Sequence, residues 1–310
     1  MRHPLAAYAL GGALVLGLGA VSLAPQASPP LVAPVAAAAA APAADVTVVA
    51  AGDICGSNCK ATAAVVGQIN PSAVLTAGDN AYDSGTLSEY RTRYDPTWGK
   101  YKTITYPSPG NHEYNTSKAS GYFDYFNGVG VQNGRAGDRS KGYYDWEIGN
   151  WKFIALNSNF SKIDSAAQLS WLKDRLRTNT KQCVAAYWHH PLFTLGSHTG
   201  ETKARPLWQA LYDAKADLVL VGHDHNYQRF APQNPQGKAD SAGLRQVLVG
   251  TGGKSNYNFS RDLPNVDAKD AKSNGVLKLT LSGTSYRGDF VPVSGQSYKD
   301  SFTGTCHAKR

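Results

Sequence analysis

The sequence predicts a layered α/β fold with a mixed sheet system, and three observations carry that expectation. Residues 46–51, 73–77, 184–188 and 218–221 are short, nearly continuous apolar runs, the composition of strands buried on both faces. Helical patterns lie between several of them, as in chains that alternate strand and helix. Two further stretches alternate in hydrophobicity or turn back tightly, so part of the sheet system is antiparallel.

Each element has a local reason. A short extended segment is expected at 103–106. Residues 143–158 read as a hairpin turned at Gly149-Asn150. Ser165 and Gln168 have the spacing of a capping box ahead of Leu169, Leu172 and Leu176, which form one apolar helical stripe. Leu207, Trp208, Leu211 and Ala214 make a second stripe, with Pro206 tolerated in its first turn. Leu277, Leu279 and Leu281 alternate with Lys278 and Thr280, the period of a half-buried strand. The Gly250-Thr251-Gly252-Gly253-Lys254 run lacks the spacing of a phosphate-binding P-loop and reads as a turn after a strand.

The first 44 residues stand outside that pattern. Arg2 and His3 precede an apolar stretch from Leu5 to Leu23, and small residues follow at Ala24 to Ala27. This is the form of a secretory signal, so 1–27 is expected to be cleaved and the protein secreted, or held at the cell surface or in the periplasm. A membrane anchor is the rival reading, weakened by the many glycines and alanines in the stretch. Residues 28–44 are almost wholly Ala, Pro and Val and read as a linker, which leaves 45–310 as the folded domain. Export lets the four cysteines pair as structural bridges. Cys55 and Cys59 are close neighbours and Cys183 with Cys306 would tie down the tail, one of three possible connectivities.

In a chain of 310 residues, 42% hydrophobic and 17% charged, disorder is excluded. The net charge of +8 is spread without a long basic run, so no specific nucleic-acid partner is expected and anionic substrates are favoured only weakly. Once the leader is removed, no stable membrane partner is expected either.

The chemistry collects at strand ends. Val48 to Ala51 run into Gly52-Asp53, Val74 to Ala77 into Gly78-Asp79-Asn80, Ala185 to Trp188 into His189-His190, and Leu218 to Val221 into Gly222-His223-Asp224-His225. A fifth group, Gly110-Asn111-His112-Glu113, follows the extended segment. Ligand sites in open α/β sheets form outside the carboxyl ends of strands, and the glycines let the backbone turn there. Six of the eight histidines, His112, His189, His190, His198, His223 and His225, lie in or near these groups. On an extended segment His223 and His225 would share a face with backbones roughly 6.6 Å apart, which suits two cations about 3.5 to 4 Å apart. Asp, Asn, Tyr and His donors together fit iron, zinc or manganese better than calcium or magnesium alone. Two such ions stabilise both oxygens of an in-line displacement and supply hydroxide at ordinary pH, which indicates hydrolysis of a small phosphate ester.

Asp53, Gly78-Asp79-Asn80-Ala81-Tyr82, Gly110-Asn111-His112-Glu113, His189-His190-Pro191 and Gly222-His223-Asp224-His225, in this order, resemble the five motif blocks of the calcineurin-like metallophosphoesterases in their purple acid phosphatase form. The resemblance implies a four-layer αββα sandwich of two mixed sheets. It implies a first metal, usually ferric iron, on Asp53, Tyr82 and His225, a second (iron, zinc or manganese) on Asn111, His189 and His223, and Asp79 bridging both. The wider superfamily opens with Asp-x-His; Cys55 replaces that histidine here, and Tyr82 could take over its ligation. His112 and His198 are the candidates to contact phosphate and protonate the leaving oxygen, with Glu113 an orienting partner for His112. His190, beside the ligand, reads as a residue that supports the ligands from behind or as packing. The resulting expectation is an exported phosphomonoesterase in which a metal-bound hydroxide attacks phosphorus in line. The alternatives are a phosphodiesterase of the same superfamily and a catalytically silent, metal-stabilised surface-binding protein. Two aromatic-rich stretches, 82–101 and 114–144, are expected to line the pocket mouth without assigned substrate contacts.

Overall fold

The computed structural model describes residues 45–308 together with Leu14, Leu16, Gly17, Gly19 and Ala20; the expected leader and linker otherwise lie outside the described residues. The runs at 46–51, 73–77 and 218–221 are strands with those bounds, and the fourth is Cys183–Tyr187. Each of the last three is buried along its whole length, as its nearly continuous apolar composition requires.

Two sheets stack face to face. The first runs in the order Ser301–Thr305, Ser285–Pro292, Gly275–Leu281, Val46–Ala51, Ala73–Ala77, Thr105–Ser108, and its last three strands are parallel. The second runs Val266–Asp270, Tyr227–Phe230, Arg245–Val249, Leu218–Val221, Cys183–Tyr187, Trp151–Ala155, Tyr144–Ile148, with a parallel block of four in its centre. Period-two alternation sorts the second sheet's side chains. Cys183, Ala185, Tyr187, Leu218 and Leu220 join the core shared with Val48 and Leu277 of the first sheet. Val184, Ala186, Val219 and Val221 face the helices Ser165–Arg177 and Arg205–Asp213 through Leu172, Leu207, Trp208 and Leu211. The helix Cys59–Ile69 packs on the first sheet, against its strands Gly275–Leu281 and Ser285–Pro292. The order helix, sheet, sheet, helices is the expected αββα sandwich.

The hairpin turns at Gly149-Asn150, where Ile148 pairs with Trp151 and Gly149 takes φ 55°. The disulfides are Cys55–Cys59 and Cys183–Cys306, and the second joins one sheet to the other. Among the described residues no helix is long and apolar enough to cross a membrane.

Some local expectations differ. The helix Ser165–Arg177 is capped by Asp164, whose side chain accepts from the Ala167 N–H at 2.9 Å, and Ser165 instead donates to Phe160 O. Gln168 is turned inward and exchanges two hydrogen bonds with the Asn157 backbone, so no capping box forms. The extended segment expected at 103–106 begins two residues later, as the strand Thr105–Ser108, because 103–104 close a 3₁₀ turn. Much of the aromatic-rich sequence is core rather than pocket mouth, because Tyr90, Tyr94, Tyr122, Tyr125 and Phe126 are buried against one another.

Candidate metal centre

The parallel strands of both sheets end at one rim, and the loops leaving them carry every residue expected there. Asp53, Asp79 and His223 follow directly on the Gly of each loop and hold φ of 59°, 50° and 74°. Non-glycine residues in the left-handed region cost about 1 to 3 kcal/mol and collect at functional sites. The ligand-bearing residue thus makes the turn itself. The glycine beside it provides clearance: a Cβ on Gly78 would lie 2.6 Å from the His189 ring, and one on Gly110 would lie 2.1 Å from the Asp79 carboxylate.

The side chains meet in two sets that share one oxygen. In the first, Tyr82 Oη lies 3.0 Å from Asp53 Oδ1, 3.2 Å from Asp79 Oδ2 and 3.2 Å from His225 Nε2, and His225 Nε2 is 3.4 Å from Asp53 Oδ1. In the second, His189 Nε2 lies 3.3 Å from Asp79 Oδ2, 3.0 Å from Asn111 Oδ1 and 3.1 Å from His223 Nδ1. Donors bound about 2.1 Å from one ion at right angles stand about 3 Å apart, so both sets have the spacing of a coordination polyhedron. His189 Nδ1 lies 2.8 Å from Ala77 O and His225 Nδ1 lies 3.0 Å from Ser255 O; these contacts fix each ring and leave Nε2 facing the cluster. His223 and His225 are brought together by a tight bend at 222–226 rather than by an extended segment.

The electrostatics favour positive charge at this point. Burial opposes a charged His189, but the Asp79 carboxylate outweighs it and pushes the ring up to about 9. Against its own burial cost, Asp79 is held well below ordinary carboxylates, first by His189. His223 is pushed strongly down by burial and by its histidine neighbours, which keeps it neutral and able to ligate. Burial, then Asp53 and Asp79, push Tyr82 far up, so only a strongly Lewis-acidic ion would displace its proton. This hard, mixed oxygen and nitrogen set fits two transition-metal ions.

Around the cluster, His112 Nδ1 lies 2.6 Å from Asp83 O, and its Nε2 is 3.8 Å from Asp79 Oδ2 at the open side. Glu113 does not orient it. The buried Glu113 carboxylate accepts from the N–H groups of Asp79 (2.9 Å), Asn80 (2.8 Å) and Gly110 (2.6 Å) and from the Tyr90 hydroxyl (3.0 Å). His198 is placed at the rim: its ring lies tilted by 33° against His223 with centroids 4.0 Å apart, and its Nδ1 lies 2.9 Å from Asp224 Oδ1. His190 packs beside His189 and pairs with Ser158 Oγ at 2.8 Å.

Two residues were not legible as parts of the site. Asp224, fully buried, anchors His198 and accepts from Thr194 Oγ1; its position between two histidines was the only signal. Lys254, at the end of the glycine-rich turn, lies 4.2 Å from the Tyr82 ring centroid and 2.8 Å from Asp83 Oδ1.

The sequence model of the family described as calcineurin-like phosphoesterase matches residues 46–227, more than half of the chain. The chain belongs to the calcineurin-like phosphoesterases. This phosphoesterase is 26% identical over 231 residues to purple acid phosphatase 23 of Arabidopsis thaliana, covering 62% of this chain and 50% of that protein. It is 23% identical over 271 residues to a nucleotide pyrophosphatase/phosphodiesterase of Hordeum vulgare, covering 76% of this chain and 72% of the relative. Among solved structures, purple acid phosphatase PPD1 from yellow lupin (Lupinus luteus) superposes with a TM-score of 0.68 at 21% identity, over 84% of this chain and 54% of that one. That likeness shows the shared fold. The phosphoesterase thus spans about half the length of each purple acid phosphatase named here.

Proposed function

We propose that the protein is an exported phosphomonoesterase with a two-metal centre. The observation that carries this reading is Asp79 Oδ2, which stands within 3.3 Å of both donor sets. Asp53, Tyr82 and His225 would hold one ion, Asn111, His189 and His223 the other, and Asp79 both. When bound, such a pair supplies Lewis-acid polarisation of phosphoryl oxygens and a water activated at ordinary pH. The chain's own residues do the rest. Asp83 O accepts a hydrogen bond from His112 Nδ1 and leaves Nε2 to carry the proton for the departing oxygen. Asp224 does the same for His198 through Nδ1, placing a second imidazole at the rim. The presence of purple acid phosphatases among the relatives supports the monoester reading.

The first test is metal analysis with a visible spectrum of the purified protein. About two ions per chain and a visible band that vanishes in Tyr82→Phe are expected, since a tyrosinate on ferric iron absorbs there. A colourless protein with full metal content would reject iron on Tyr82. His112→Ala should keep its metal and lose about 10²- to 10⁴-fold in kcat on an aryl phosphate, the usual worth of a positioned general acid. Turnover near wild type would remove His112 from that role. The barley relative favours a second reading, a phosphodiesterase, and a side-by-side assay on aryl and bis-aryl phosphates separates the two. A strong preference for the diester would overturn the monoester reading.

A further inference from the structure

A polar cavity of about 300 Å³ opens beside the centre, and its contents speak to the substrate. Asn111 and His190 line it at the centre's side, Tyr114 and Glu201 contribute to its walls, and Lys162 and Lys203 complete it. Because Asn111 Oδ1 is 3.0 Å from His189 Nε2, the cavity begins where the second donor set ends. A phosphate held there would extend its leaving group into this space.

Lys162 and Lys203 are the cationic side chains of this cavity. Like most lysines among the described residues, Lys162 and Lys203 have no ion-pair partner, so no carboxylate of the fold neutralises them. Their backbones are pinned: the Lys162 N–H donates to Asn159 O at 2.8 Å, and the Lys203 N–H donates to Glu201 Oε1 at 2.9 Å. Glu201 thus spends an oxygen on backbone, and the cavity lining holds two lysines against one carboxylate. An ammonium on a flexible stem is a point charge that suits an anion without demanding one geometry.

We propose that this cavity selects phosphomonoesters whose leaving group carries a second phosphate, held by Lys162 and Lys203. The inference rests on the hydrolase reading above and deepens it. It is tested on the metal-loaded full chain with fructose 1,6-bisphosphate against fructose 6-phosphate, and with the double variant Lys162→Met, Lys203→Met, which keeps the stems. Wild type is expected to favour the bisphosphate about tenfold or more in kcat/KM, through KM, and to lose that preference as salt rises. The double variant is expected to lose at least fivefold more on the bisphosphate than on the monophosphate. Equal treatment of the two sugars by wild type, or equal losses in the variant, would overturn the proposal. If neither sugar is hydrolysed, an aryl phosphate control decides the hydrolase reading, and calorimetry with pyrophosphate and orthophosphate decides the cavity. Tighter pyrophosphate binding that the double variant abolishes supports it, and equal binding overturns it.

Discussion

Asp79→Ala is expected to leave the protein with at most one metal ion per chain and to lower phosphatase activity at least 10⁴-fold, measured by elemental analysis and an aryl phosphate assay. The magnitude follows from geometry: one carboxylate serves both donor sets, so its removal breaks both at once. Its other oxygen, Oδ1, accepts the His112 N–H at 2.9 Å, so the same substitution loosens the candidate proton donor. Alanine at a φ of 50° also adds strain. Asp79→Asn, which keeps the volume and the turn, separates that strain from the loss of charge and should still lose most of the metal. Full metal content with near-normal turnover in either variant would remove Asp79 from the centre.

The largest effect on stability is expected at Glu113. Replacing it with alanine strips acceptors from three backbone N–H groups and a tyrosine hydroxyl in a fully buried place. Orphaned buried donors cost about 1 to 3 kcal/mol each, so a total on the order of 4 kcal/mol or more is expected, a fall in Tm of roughly 10 °C. Glu113→Gln, which keeps one acceptor oxygen, should fall between. These groups belong to the loops that carry Asp79 and Asn111, so metal affinity should weaken along with stability. A Tm within about 2 °C of wild type in the alanine variant would show that the carboxylate is dispensable.

The strands were legible because burial on both faces leaves a nearly continuous apolar run, and Val74 to Ala77 or Leu218 to Val221 are too short for a helix and rich in branched side chains. The site was legible for a related reason: each run stops at a polar residue, and parallel strands put those stops at one rim. What escaped was choice of partner. Glu113 is next to His112 in sequence, yet its carboxylate turns inward because three unpaired N–H groups wait there. Gln168 has the spacing of a cap but meets the Asn157 backbone first. The strand Thr105–Ser108 was placed two residues early because Pro107 and Ser108 interrupt its apolar character. Asp224 and Lys254 escaped because only the folded chain brings Thr194, His198 and Tyr82 to them.

The centre draws Asp53, Asp79 and Asn111 from loops of one sheet and His189, His223 and His225 from loops of the other. Cys183, at the opposite end of the strand that leads to His189, is bonded to Cys306 just past the first sheet's edge strand Ser301–Thr305. The sandwich is therefore fastened like a book, with a covalent spine at one end and an ionic clasp at the other. Chelation should let the covers part at the clasp while the spine holds. Amide exchange should rise in the loops at 52–56, 78–83 and 222–226 before it rises in the strand cores, and the melting temperature should climb with free metal, by about 2.7 kcal/mol of protection at a hundredfold excess over Kd.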